Sequence, residues 1–95
     1  MDEFVTAIKL YLQQQFPHFT FQESPDSLYV HDLQNHPEAE VDLVVDGNSC
    51  TVWEFDRCHL AHKQRYTIDL NDPDSLPHLG GFVAELLAKN GLFND

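Results

Sequence analysis

The segment at residues 40–55, EVDLVVDGNSCTVWEF, constrains the fold more than any other part of the chain. It consists of two runs rich in β-branched and aromatic residues. Gly47 and Asn48 lie between these runs and tolerate the positive φ angles that tight hairpins require. Because side chains alternate between the two faces of a strand, each run carries two separable sets of side chains. The segment therefore predicts a β-hairpin whose first strand has one apolar face.

The length of the turn decides which side chains of the two runs share a face of the hairpin. A turn with an odd number of residues would place Trp53 and Phe55 beside the apolar side chains of the first run and would gather four carboxylates on the opposite face. These four are Glu40, Asp42, Glu54 and Asp56. Like charges that oppose each other across strands destabilise a sheet, so this register carries a cost. A turn of two residues would divide the four carboxylates between the faces, and the pattern leaves both registers open.

Weaker patterns predict a helix and a first hairpin before this segment. An apolar stripe with the helical period predicts a helix over residues 3–15, which Phe16-Pro17 ends. Alternating apolar and polar residues at 19–22 and again at 28–30 predict two short strands joined by a turn. The polar segment at 32–37, which ends in proline, is predicted to be a loop.

A further strand is predicted after the central hairpin. Residues 57–64, RCHLAHKQ, are predicted to form a connection, and alternating apolar side chains predict a strand over residues 66–70. This last strand is also a candidate edge for self-association between copies of the chain. The oligomeric state is left open.

A second helix is predicted near the C-terminal end of the sequence. Asp74 or Ser75 can cap its start, and a leucine-rich stripe with the helical period follows. Pro77 favours a start nearer Leu79. The glycine pair at 80–81 indicates a delayed start, a kink or a close backbone contact, because each glycine weakens a helix by about 1 kcal/mol relative to alanine.

Together these elements predict an α+β fold. The order is helix, five strands, helix, which implies an N-terminal helix, a mainly antiparallel sheet of four to five strands and a C-terminal helix, with the helices on one face of the sheet. A chain of 95 residues has room for one modest core, so residues 1–95 are expected to form a single compact domain.

The charge of the chain restricts its partners. From Leu10 to Asp56 the sequence contains nine Asp and Glu and no Lys or Arg, and the whole chain has a formal net charge of −11. A field of this sign repels phosphate backbones and anionic membranes and attracts basic surfaces. We therefore expect a basic protein partner, with neither direct nucleic-acid binding nor membrane binding.

The cellular compartment is predicted from the N-terminus and the cysteines. The opening MDEFVTAIKL lacks the basic and long apolar regions of a secretory signal, and no apolar run approaches the ~20 residues of a membrane span. Cys50 and Cys58 are too few for a disulfide framework and are expected to be free thiols. These features favour a cytoplasmic protein.

Cys58, His59 and His62 form the densest group of metal-ligating side chains in the sequence. Zinc requires three or four nitrogen or sulfur ligands, and Cys58 and His62 would lie on one face of a helical turn. No second ligand pair completes the set, so neither a metal nor a cofactor is expected. A small metal- or His-dependent enzyme that uses this region is retained as an alternative, and metal binding by the three residues is left open.

Catalytic motifs are absent from the sequence. It contains no nucleophile elbow, phosphate-binding loop, dinucleotide-binding loop or His-Glu-x-x-His motif. His31 or His36 beside Asp32 could form a general acid/base pair, but histidines in a polar loop are usually solvated. The chain is therefore predicted not to be an enzyme.

The sequence thus predicts a small acidic, non-catalytic binding protein of the inhibitor, immunity, chaperone or adaptor type. It would dock a negatively charged sheet face or loop on a basic protein. The predicted partner-binding residues are Glu40, Asp42, Glu54 and Asp56. A second alternative is an inhibitor that imitates nucleic acid, because carboxylates at alternate strand positions lie about 6 to 7 Å apart, comparable to neighbouring phosphates.

Overall fold

The computed structural model of the protein describes residues 3–56 and 60–88. Two helices flank five strands in chain order. The elements are α1 (Glu3–Gln15), β1 (Thr20–Glu23), β2 (Ser27–Asp32), β3 (His36–Asp46), β4 (Ser49–Asp56), β5 (Ala61–Asp69) and α2 (Ser75–Ala88). Of the two helices in this described part, neither is long and apolar enough to cross a bilayer.

The strands form one antiparallel meander in the order β1-β2-β3-β4-β5. Both helices pack on the same face of this sheet, where their buried side chains join the buried apolar side chains of the strands in one core. The predicted α+β fold, with a helix at each end of an antiparallel sheet, is confirmed. We call the sheet face under the helices the helix face and the opposite one the open face.

The β3–β4 turn contains two residues. Asp46 pairs with Ser49, which leaves Gly47 and Asn48 as the turn. Gly47 has a φ of 60°, and among the described non-glycine residues only Leu60 has a positive φ. A glycine with positive φ at the first central position is typical of a type II′ turn, which matches the twist of the flanking strands. The register therefore follows the two-residue alternative.

The two helices meet at a glycine. Gly80 in α2 lies so close to α1 that an added Cβ would be 3.3 Å from Cε1 of Tyr11, whereas a Cβ at Gly81 would meet nothing within 4 Å. Of the two glycines, Gly80 therefore marks a close approach of the α2 backbone to the Tyr11 ring. The ring of Phe82 stacks on Tyr66 of β5 at a centroid distance of 3.8 Å and ties α2 to the edge of the sheet.

Three element boundaries differ from the predictions. The predicted loop at 32–37 is only a turn at 33–35, because β2 continues to Asp32 and β3 begins at His36. Part of the predicted connection at 57–64 is strand, since β5 begins at Ala61. The second helix begins at Ser75, because a proline in the first turn sacrifices no helical hydrogen bond.

Candidate binding surface on the open face

The two-residue turn separates the four carboxylates predicted to form one acidic face. Alternation along β3 and β4 places Glu40 and Asp42 on the open face and Glu54 and Asp56 on the helix face. Three of the four are also buried, with exposures of 6% for Asp42, 0% for Glu54 and 5% for Asp56. The expectation of one exposed face carrying all four is therefore wrong.

The carboxylates on the helix face belong to the interior of the fold. Glu54 Oε1 lies 2.7 Å from Nε of Arg65. Arg65 is the extra residue at an irregularity in the β4–β5 pairing, and such a bulge can redirect a side chain. Glu54 also pairs across the strands with Lys63. The Arg65 guanidinium therefore balances the negative charge of the buried Glu54 carboxylate within the fold.

The open face carries two rows of side chains that cross four strands. The register aligns one row as Tyr29, Asp42, Trp53 and Gln64. It aligns the other row as His31, Glu40, Phe55 and His62. Neighbours within a row are about 5 Å apart and the rows about 7 Å apart, so the eight side chains form one continuous patch. We call this patch the open-face cluster.

Each carboxylate at the centre of the open-face cluster has a histidine beside it. His62 Nε2 lies 3.2 Å from Asp42 Oδ2, and His31 Nδ1 lies 3.4 Å from Glu40 Oε1. The second oxygen of Asp42, Oδ1, is buried and has no hydrogen-bond donor. Glu40 lies two residues before Asp42 on the same face of β3, and a hydrogen bond between the two carboxyls requires a proton on one of them.

Burial and the neighbouring Glu40 raise the pKa of Asp42 from 3.8 to about 8, with burial the larger cause. A buried carboxylate loses its hydration, and a second carboxylate nearby disfavours its ionised form. A proton on Asp42 lets this carboxyl donate to Glu40 while Oδ2 accepts from His62 Nε2. The protonated form therefore avoids two negative charges side by side on the sheet face.

Aromatic rings surround the carboxyl pair. The ring of Phe55 lies 4.4 Å from that of His62 between centroids, and Trp53 meets the same histidine edge to face at 6.5 Å. Tyr29, Trp53 and Phe55 are all half-buried. Half-buried aromatic side chains on a sheet face that neither described helix covers are typical anchors of protein interfaces.

A pair of His31 with Asp32, considered from the sequence, does not form, whereas His36 lies opposite Asp32 in the β2–β3 register. His31 is buried in β2 and contacts Glu40, and Asp32 points to the other face because neighbouring strand residues alternate. Asp32 instead accepts hydrogen bonds from the backbone and side chain of Asn35. The expectation that His31 is solvated in a loop is wrong.

The predicted metal-ligating group lies mostly outside the described residues. Cys58 and His59 fall there, and His62 contacts Asp42. Within residues 3–56 and 60–88, no group of three or more His, Cys, Asp and Glu side chains is arranged to hold a metal ion. Cys50 is a free thiol as predicted, and burial raises its pKa to about 12.

The sequence contains a signal for the open-face cluster that the predictions did not use. Once Gly47-Asn48 is taken as a two-residue turn, the alternation of β3 and β4 places Trp53 beside Asp42. The position of His62 in the open-face cluster could not be predicted, because it depends on the bulge that shifts the register between β4 and β5.

Comparison with known proteins provides no further guide. No family model, no curated protein and no solved structure matches this chain.

Proposed function

We propose that this chain is a non-catalytic binding module that docks a basic segment of another protein on the open-face cluster. The observation that carries the proposal is the position of a carboxyl pair, the half-buried Glu40 and the buried Asp42, among half-buried aromatic rings on the sheet face opposite the helices. The expected roles of Glu54 and Asp56 in partner binding are not retained, since both are buried on the helix face.

The distribution of counter-charges supports a basic partner. The described part of the chain contains three Lys and Arg residues, and all three lie beside carboxylates of the helix face: Lys9 is 3.2 Å from Glu23, Arg65 is 2.7 Å from Glu54, and Lys63 is opposite Glu54 in the register. With a net charge of −11, the chain attracts cationic segments and orients them during encounter.

The aromatic rings favour cationic side chains in particular. The face of a tryptophan or tyrosine ring attracts an ammonium or guanidinium group by about 0.5–2 kcal/mol. Trp53 and Tyr29 lie on either side of Asp42 in the register, so a cation over either ring is also close to the carboxyl pair. Arginine fits such a site best because its planar group both stacks and pairs with carboxylates.

The structure supports imitation of nucleic acid less well than docking of a basic segment. Imitation requires several carboxylates at the surface, spaced like phosphates. Asp42, Glu54 and Asp56 are buried and lie on two different faces of the sheet. We therefore retain the protein-docking proposal alone.

A peptide array tests the proposal. It compares arginine-rich, uncharged and acidic peptides of matched length at about 0.05 M and about 0.5 M salt, because screening weakens exposed charge interactions. We expect binding only to the cationic peptides and weaker binding at high salt. The Trp53→Ala variant should lose at least tenfold in affinity, the size of a typical aromatic anchor.

Leu10→Ala is the matched control for this experiment. Leu10 lies on α1, is 56% exposed and belongs to the other side of the molecule. Its replacement should leave peptide binding unchanged. Equal binding to acidic and cationic peptides, or equal losses in the two variants, would show that the open face is not the docking surface.

A further inference from the structure

We infer that the cationic group of the docked partner replaces a proton held between Glu40 and Asp42, so that docking releases a proton and strengthens as the pH rises. This inference rests on the proposed function. It adds the chemistry by which the surface distinguishes a cation from a neutral side chain.

The geometry of the pair leads to this exchange. Asp42 Oδ1 is buried without a hydrogen-bond donor, and the side chain of Asp42 is 9% exposed. A proton shared with Glu40 supplies the missing positive charge in the free protein. Glu40 is the more exposed member, at 14% of its side chain, so a guanidinium group approaches the pair from its side.

The titratable side chains around Asp42 come from three strands. Glu40 lies on the same strand, Tyr29 and His31 lie on β2, and His62 lies on β5. On β4 the pair meets only the uncharged rings of the cluster. Among these titratable neighbours, Glu40 is the one that raises the pKa of Asp42. A cation that pairs with either carboxylate removes this repulsion and lowers the pKa of Asp42.

The exchange balances in charge and atoms. The Asp42 carboxyl loses its proton to the buffer, its O–H bond breaks, and the resulting carboxylate pair carries two negative charges beside the incoming cation. With a pKa of about 8, the ionised form is about a tenth of the free protein at pH 7 and nine tenths at pH 9. The affinity should therefore rise about tenfold between these pH values.

Calorimetric titration with a short oligo-arginine peptide tests the inference. Arginine stays charged throughout this pH range, so the probe itself does not titrate. We expect the tenfold rise in affinity. We also expect about one proton released per complex near pH 7, measured from the difference in heat between buffers of different protonation enthalpy.

Asp42→Asn removes the exchangeable proton, and Asp46→Asn is its matched control. Asp46 lies on the same strand and the same face as Asp42 but is exposed. The Asp42→Asn variant should bind with nearly the same affinity at both pH values and release no proton. The Asp46→Asn variant should keep the tenfold rise, which separates the shared proton from a general loss of charge.

The outcomes distinguish the inference from the proposed function. Binding to the wild-type protein that is equally tight at pH 7 and pH 9, with no proton release, overturns the inference and leaves the docking surface in place. If the affinity of the Asp42→Asn variant rises between pH 7 and pH 9 as much as that of the wild type, the inference is also overturned, because another group then titrates. Absence of oligo-arginine binding at both pH values overturns the proposed function and the inference together.

Discussion

Asp42→Asn is predicted to stabilise the protein and to change how its stability depends on pH. Asparagine has nearly the shape of aspartic acid and is neutral at every pH. Its amide can donate to Glu40, as the protonated carboxyl does, and its oxygen can accept from His62 Nε2. The substitution therefore preserves the contacts of the neutral form and removes the cost of keeping Asp42 protonated.

The sign and size of this change in stability follow from the difference in the pKa of Asp42 between the folded and the unfolded chain. The pKa of Asp42 is about 8 in the folded protein and close to 3.8 in the unfolded chain. Between these values the folded state binds one more proton, so the free energy of unfolding falls as the pH rises. Within this window the free energy of unfolding falls by about 1.4 kcal/mol for each pH unit, and it stops falling above pH 8.

At pH 7 the pKa difference sets an upper limit of about 4 kcal/mol for the gain in Asp42→Asn. We expect about 2 kcal/mol, because the surroundings of a buried charge relax when it ionises. For a domain of this size, that gain raises Tm by about 10 °C.

Urea unfolding of the wild-type protein and the variant at about pH 5.5, 7 and 8.5 measures the effect. The difference in unfolding free energy should widen from the first pH to the second and level off above pH 8. Asp46→Asn, at an exposed position on the same strand, should differ from the wild type by less than about 0.5 kcal/mol at every pH. A difference for Asp42→Asn that is constant across pH, or a destabilised variant, would refute the shared proton.

Three further predictions test the buried ion pair, the glycines of α2 and the burial of Cys50. Arg65→Met should destabilise the protein by about 3 kcal/mol in urea unfolding, because it leaves Glu54 charged in the interior, and adding Glu54→Gln should recover part of the loss. Gly81→Ala should raise the free energy of unfolding by about 0.5–1 kcal/mol, whereas Gly80→Ala should gain less or lose stability against the α1 tyrosine ring. With the other cysteine replaced by serine, Cys50 should react with a thiol reagent only at the rate of unfolding, and rapid labelling of the native protein would contradict its burial.

The periodic parts of the fold could be predicted from the sequence. The helix at 3–15 was predicted with its observed limits, because an amphipathic stripe ends at Phe16-Pro17. The start of β5 was missed, because Ala61–Gln64 has no apolar alternation and becomes strand by pairing with β4. The start of α2 was predicted too late, because Pro77 was expected to prevent helix formation before it, whereas a proline is tolerated in the first turn.

The candidate site was only partly predictable, because it depends on register. Their charge singles out Glu40 and Asp42 in the sequence, and both lie in the open-face cluster. The same criterion singles out Glu54, but the two-residue turn places it under the helices. Turn length changes which face every later side chain occupies, and the residues around Gly47 permit more than one length.

The docking surface can be tested most directly by amide chemical-shift mapping during titration of the isotopically labelled protein with an oligo-arginine peptide. The changes should concentrate at Tyr29, Asp42 and Trp53 and their neighbours on the central strands, and should saturate. Changes confined to α1 and α2, or spread evenly over the acidic surface, would show that cationic partners do not dock on the open face.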